Sequence, residues 1–397
     1  MQSLPPYSEF ERFWNHRNDT VFLNHGSFGS CPSSILARQQ ELQQKIEEDP
    51  VRFVTEDFEP LYHENKQALA EFLNSHPDDL VLVKNATQGV NTVLHSLTFN
   101  RGDELLTHSH VYGACLHALR YTAEKSGCNI VTADIPFPLN SPEEVKSAIL
   151  SKVGPRTKFA LIDHITSASG IIFPIREIVS ELEAAGVEVL VDGAHAPGMV
   201  ELDLEEIGAS YYTGNCHKWI CTPKGSAFLH VRKDKQNKIS PLQISHHHDR
   251  NKGKACYWSD QFIWPGTDDF TAWCLIGDSL RFMGSLMGSW DVLRKHNRDL
   301  CLEARKMIAG STGVSLPAPE EMIGHLGTIP LRTKPEIPDS FFNYTPGEKK
   351  RLLEEFGIQV PVFLTMWDKP TLWVRISAQA YNSPEQYRYL AECIGRL

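Results

Sequence analysis

The residues in this chain best placed to do chemistry are an acid and a lysine, Asp192 and Lys218, each beyond a short run of β-formers. Val189-Leu190-Val191 stops at Asp192-Gly193-Ala194-His195, and Tyr211-Tyr212-Thr213-Gly214 gives way to Asn215-Cys216-His217-Lys218-Trp219. A brief apolar run ending in a polar residue is how a buried parallel strand emerges at its carboxyl end. Ligands of open α/β sheets bind at that edge. An acid and a lysine at neighbouring strand ends can face each other across a cofactor. Pyridoxal phosphate needs both, a lysine for the Schiff base and a carboxylate on the pyridinium nitrogen. In this reading Asp192 keeps the ring nitrogen protonated and His195 hydrogen-bonds the ring hydroxyl. Lys218 holds the cofactor and, once the substrate amine displaces it, moves the proton at the substrate Cα.

Asp192-Gly193-Ala194-His195, His217-Lys218-Trp219 and Pro223-Lys224-Gly225-Ser226-Ala227 resemble motifs of the class V aminotransferases of fold type I, within them the isopenicillin N epimerase-like group. The similarity runs from about Phe22 to about Tyr387. It implies a homodimeric pyridoxal-phosphate enzyme, whereas composition and spacing alone give only a geometry compatible with the cofactor.

Further candidates follow in chain order. Asn24-His25-Gly26-Ser27-Phe28-Gly29 reads as a glycine loop whose backbone can approach a ligand closely; the resemblance puts His25, Gly26 and Ser27 at the substrate pocket. Lys84-Asn85-Ala86-Thr87-Gln88-Gly89 opens a helix, and a helix start offers free N–H groups and a positive dipole end to an anion. Thr87 and Gln88 are the phosphate candidates, since the family grips the phosphate here. His110 and Tyr112 both follow the strand at Glu104–Thr107, and the family stacks a ring from this turn on the cofactor. Sequence does not choose between them, although Tyr112 fits the group's Tyr-Gly pattern and adds a hydroxyl for proton transfer. His164 and Thr166 form a second tier after the strand at Phe159–Ile162, and Asn215 and His217 join the cofactor set beside the lysine. The resemblance makes Thr267, in the turn Phe262–Asp269, a phosphate ligand of the partner subunit's cofactor, so that the sites are shared. Arg375 interrupts the apolar strand Leu372–Ser377, where an unpaired charge is costly. Its planar fork suits a substrate carboxylate, and it matches the family's carboxylate-binding arginine.

Alternating strands and helices with short loops must position these residues, which predicts an α/β fold with a mainly parallel, doubly wound sheet. Beyond a helix from about Trp290 to Ala309, prolines punctuate short strands and the chain reads as a small α+β domain. With 397 residues, the expected division is an N-terminal arm (1–20), a large cofactor domain (21–285) and a small C-terminal domain (286–397), the architecture of fold type I. Helices are expected from Ser33 to about Glu48, from about Tyr62 to Leu73, and from the turn at Thr267 through Phe282.

The formal net charge of −10 argues against nucleic acid as a partner. No apolar run approaches the ~18 residues of a membrane span, and the first residues lack the pattern of a signal peptide, so the expected location is the cytoplasm. Nine scattered cysteines contain no Cys-x-x-Cys, and His246-His247-His248 cannot all point one way; no metal is expected.

The chemistry implied is Schiff-base formation (an external aldimine) with an α-amino acid and removal of its Cα proton by Lys218. A C–S β-lyase acting on a cysteine-derived substrate and an amino-acid epimerase rank nearly level, with aminotransferase as the alternative. A fold relic without catalysis is disfavoured by the intact Asp192, His195, Lys218 and Arg375. A persulfide-forming desulfurase needs a cysteine on a small-domain loop, and none lies between Cys301 and Cys393.

Overall fold

The computed structural model describes residues 4–254, 256–338 and 345–397; the first three residues of the expected arm lie outside them. The chain makes strand β1 (Val21–Phe22) and then the seven strands of the large sheet. These are β2 (Leu80–Val83), β3 (Glu104–His108), β4 (Asn129–Ala133), β5 (Thr157–Asp163), β6 (Glu188–Asp192), β7 (Tyr211–Asn215) and β8 (Ala227–Val231). Their spatial order is β2-β8-β7-β6-β5-β3-β4. Strands β3 to β7 pair in parallel, and β8 runs antiparallel to both its neighbours, β2 and β7. The expected mainly parallel sheet is therefore the one that forms.

Side-chain alternation explains why it is covered on both faces. Leu105, Leu161, Leu190 and Leu229 belong to one buried cluster, their strand neighbours Leu106, Ile162, Val191 and Phe228 to another. Successive strand residues point to opposite faces, so each strand needs an apolar layer above and below. Helices Ala86–Ser96 and Gly113–Ser126 cover the first face, and Phe58–Phe72 and Ile175–Ala184 the second. With the parallel strands aligned, His108, Asp163, Asp192 and Asn215 all arrive at one sheet edge.

The rest of the chain adds β9 (Leu326–Pro330), β10 (Ile358–Gln359), β11 (Val362–Thr365) and β12 (Thr371–Ser377). An antiparallel sheet of order β11-β12-β9 carries Arg375 opposite Thr328. Strand β1 pairs in parallel with β10, tying residues near the N-terminus to this C-terminal part. Among the described residues no helix is long and apolar enough to cross a membrane.

Three local expectations change. Residues 25–28, read as an open glycine loop, form a helical turn, His25–Phe28. The close approach made there is to protein, not ligand: the Gly26 amide donates to Ser377 Oγ (3.0 Å), and a Cβ on Gly29 would lie 1.9 Å from the His217 carbonyl oxygen. The second helix starts earlier than Tyr62, at Phe58, after a helical turn Pro50–Arg52 capped by Asp49 and a π-turn Phe53–Asp57 that buries Phe53. The helix expected from Thr267 begins only at Ile276, because Asp269 turns back to accept from the Thr271 amide (2.8 Å) and holds the chain in a turn.

Candidate active site

The carboxyl edge of the large sheet meets β12 around a cavity of about 520 Å³. Lys218, in the β7–β8 connection, points its Nζ to 3.0 Å from His195 Nε2. Burial holds the lysine down to about 8, opposed by the Asp192 carboxylate, and burial also keeps His195 well below its usual value. The imidazole is therefore neutral, and its Nε2 accepts from the amine. His195 Nδ1 must then carry the proton, yet it is buried with no partner among the described residues.

Asp192, at the end of β6, accepts from the Cys115 thiol at Oδ2 (3.2 Å) and from the Ala194 amide at Oδ1 (3.0 Å). Burial raises its pKa to about 6, and the neighbouring Asp163 adds to the rise. Asp163 stands at the same level of β5 and also lines the cavity. Its carboxyl Oδ2 is 3.0 Å from His108 Nε2, and its own amide donates to that same nitrogen at 3.2 Å. A ring nitrogen receiving an amide N–H is an acceptor, so the proton between His108 and Asp163 belongs to the acid. Burial, which pushes Asp163 well above the usual carboxylate range, agrees.

Arg375 reaches the cavity from β12. Its guanidinium donates to Ser27 Oγ (3.0 Å) and to the Ser167 carbonyl, while Nε is buried without a partner. No carboxylate pairs with it among the described residues. Burial lowers it only to about 10, so it stays charged. A buried cation without a counter-ion is unfavourable until an anion arrives.

Thr87 lines the cavity at the start of helix Ala86–Ser96, whose first amides have no intrahelical acceptor. Asn215 Oδ1 takes the Ala86 amide (2.9 Å), and His217, which lines the cavity, donates from Nδ1 to the Ser226 carbonyl (2.9 Å). Lys84 and Lys224 also line it, Lys84 paired with Asp268. This donor set fits pyridoxal phosphate: cations, a hydroxyl and a helix start for the phosphate, a carboxylate for the ring nitrogen, an amine for the aldehyde, and an orphaned His195 nitrogen beside them.

Of the other candidates, Tyr112 and Ser27 line the cavity. His110 does not: it stacks on Trp367 (centroids 4.0 Å apart, planes at 9°) and bonds Ser169 Oγ (2.8 Å), facing away. Gln88 folds back so that its Oε1 accepts from the Lys84 amide (2.8 Å). His25 is buried behind the site, bonded to Tyr381 Oη (2.9 Å) and to the carbonyl of Lys218 (2.8 Å). Gly26 lies against Leu326. His164 and Thr166 bond Tyr212 Oη and Ser169 Oγ instead of the cavity. Thr267 lines a separate surface cavity with Thr55, Phe58 and Trp264. Sequence reading passed over Asp163, His108 and Cys115; the signal for Asp163 was available, an acid ending a strand just as Asp192 does.

The family model described as Aminotransferase class-V matches residues 30–336. A probable chloroplastic L-cysteine desulfhydrase of Arabidopsis thaliana is 31% identical, the match covering 98% of this chain and 86% of that protein. An isopenicillin N epimerase of Streptomyces clavuligerus is 28% identical over 95% of this chain and 94% of its own. Among solved structures, a C-DES mutant with glycine covalently linked to the PLP cofactor superposes with a TM-score of 0.78 at 19% identity, covering 97% of this chain and 98% of that one.

Proposed function

The chain belongs to the class-V aminotransferase family, and from that membership we propose that it is a pyridoxal-phosphate enzyme cleaving the C–S bond of a cysteine-derived α-amino acid. The observation that carries the reading is the pairing of Lys218 and His195 in one cavity with an Arg375 that has no counter-ion among the described residues. When bound, pyridoxal phosphate supplies a carbonyl for the amine and an electron-withdrawing ring that acidifies the substrate Cα–H. Thr87, His217 and Lys224 would hold its phosphate, and Asp192 its ring nitrogen. Asp192, steadied by Cys115, keeps a proton at that nitrogen. Arg375 binds the substrate carboxylate and so orients the Cα–H bond. Lys218, with an amine held down to about 8, takes the Cα proton near neutral pH.

Epimerisation at Cα is the second reading. Tyr112 lines the same cavity as Lys218 and offers a second proton-carrying group. A persulfide route is set aside because no cysteine lies between Cys301 and Cys393. We propose a division of the chain at residues 20 and 285, with β1 of the large part pairing with β10 of the small one. We also place the protein in the cytoplasm, since all nine cysteines are free thiols. Incubation with L-cysteine and S-substituted cysteines, measuring pyruvate and sulfide beside a chiral assay of recovered amino acid, tests the assignment. Pyruvate supports the lyase and racemised substrate the epimerase; neither product from cofactor-loaded protein across that panel would sink both.

A further inference from the structure

At the end of the large sheet remote from Lys218, a buried histidine ring makes no hydrogen bond among the described residues. His230, in β8, stands between Leu80 of β2 and Tyr212 of β7. Its residue is 4% exposed, its ring makes no hydrogen bond to a described residue, and Nε2 is sealed from solvent. A neutral imidazole has one donor and one acceptor to satisfy, and buried polar atoms seldom go unmatched.

Two carboxylates stand next to it. One oxygen each from Asp79 and Glu205 and a ring nitrogen of His230 all lie within 4.8 Å of one another. Asp79 ends the turn Pro77–Asp79 before β2, and Glu205 belongs to the helical turn Leu204–Ile207. Asp79 Oδ1 accepts from Gln236 Nε2 (2.6 Å). Glu205 is exposed, and its carboxylate makes no ion pair among the described residues. Three separate elements thus bring one imidazole and two carboxylates together.

We propose that His230, Asp79 and Glu205 bind a divalent transition-metal cation that clamps β2, β8 and the Leu204–Ile207 turn together. An imidazole with two carboxylates suits zinc better than calcium or magnesium, which take oxygen ligands. Ligand bonds of about 2.0–2.2 Å require the three donors to draw somewhat closer than 4.8 Å, and the exposed Glu205 side chain is free to make that movement. Water completes the coordination. Lys233 and His76 face Asp79, and Arg232 faces His230; the charges of Lys233 and Arg232 oppose the cation. The site is independent of the cofactor chemistry.

The test is calorimetric titration of chelator-treated holoenzyme with zinc chloride, with a thermal melt at each stoichiometry. Wild type should bind one zinc per chain at this site and melt at a higher temperature. Glu205→Gln, on an exposed turn where folding is not at stake, should weaken binding roughly tenfold or more, and His230→Gln should abolish it. His247→Gln, in the triple-histidine stretch, should leave binding unchanged. Absence of zinc binding, wild-type affinity in Glu205→Gln, or loss of the binding event in His247→Gln would each overturn the proposal. Should His230→Gln fail to fold, Glu205→Gln alone decides.

Discussion

Arg375 is a buried charge and Lys218 a largely enclosed one, and each implies a measurable consequence. A bidentate, charge-assisted pair between Arg375 and a substrate carboxylate contributes on the order of 2–5 kcal/mol when buried. Arg375→Ala should therefore lower kcat/KM for an α-amino acid by roughly 30- to several-thousand-fold. It should leave the absorbance of the lysine-bound cofactor intact and change little for simple amines. Equal losses for acids and amines would make Arg375 structural. For Lys218 the folded-state pKa, about 8, lies below the ordinary lysine value of 10.5. Between those values the unfolded chain binds more protons than the folded one, so folded stability rises with pH across that window. Below about 8 the full penalty applies, on the order of 3 kcal/mol. Apo Lys218→Met should accordingly resist urea better than apo wild type at pH 7, with the gap closing above pH 10.5. A gap that is absent at pH 7, or unchanged at high pH, would contradict the burial cost.

At the scale of the elements, the loop carrying Lys218 is braced by the turn His25–Phe28. His25 holds the Lys218 carbonyl, and Gly29, at φ 70°, leaves no room for a Cβ beside His217. Gly29→Ala should cost about 2 kcal/mol or more and reduce cofactor occupancy, since the backbone before Lys218 must shift. Gly102→Ala is the matched control: it also has a positive φ, of 88°, but faces open space and should cost about 1 kcal/mol with occupancy unchanged. Melts and cofactor absorbance distinguish the two. Equal effects would remove the steric account. The strand ends themselves were legible in sequence, because a two-face apolar strand stopping at Asp192 is a local pattern. The Asp163–His108 pair was not, since it exists only once β3 and β5 align residues 55 positions apart. Nor was the choice between His110 and Tyr112. His110 stacks on Trp367, beyond β11, whereas Tyr112 lines the cavity, and neither contact is a local pattern in the sequence. The late start of the helix at Ile276 turned on one side chain, Asp269, capping back on Thr271.

At the scale of the whole molecule the question is whether one chain suffices. Thr267 lies in a surface cavity apart from Lys218, although its neighbour Asp268 pairs with Lys84 at the edge of the cofactor cavity. The turn therefore sits near one site while Thr267 faces outward, and we propose that this residue completes the site of a second copy in a homodimer. A Lys218→Ala chain has an intact Thr267, and a Thr267→Ala chain an intact Lys218. If the sites are shared, each mixed dimer contains one intact site and one doubly damaged site. Random reassortment of equal amounts makes about half the dimers mixed, so about a quarter of all sites should recover full activity. If each chain is self-sufficient, the mixture can show only the mean of the two mutants. The experiment requires that Thr267→Ala alone be well below wild type, which the proposed phosphate role demands. Activity of the mixture no higher than that mean after reassortment, or a monomer by light scattering at every concentration, would return Thr267 to the surface of a self-contained enzyme.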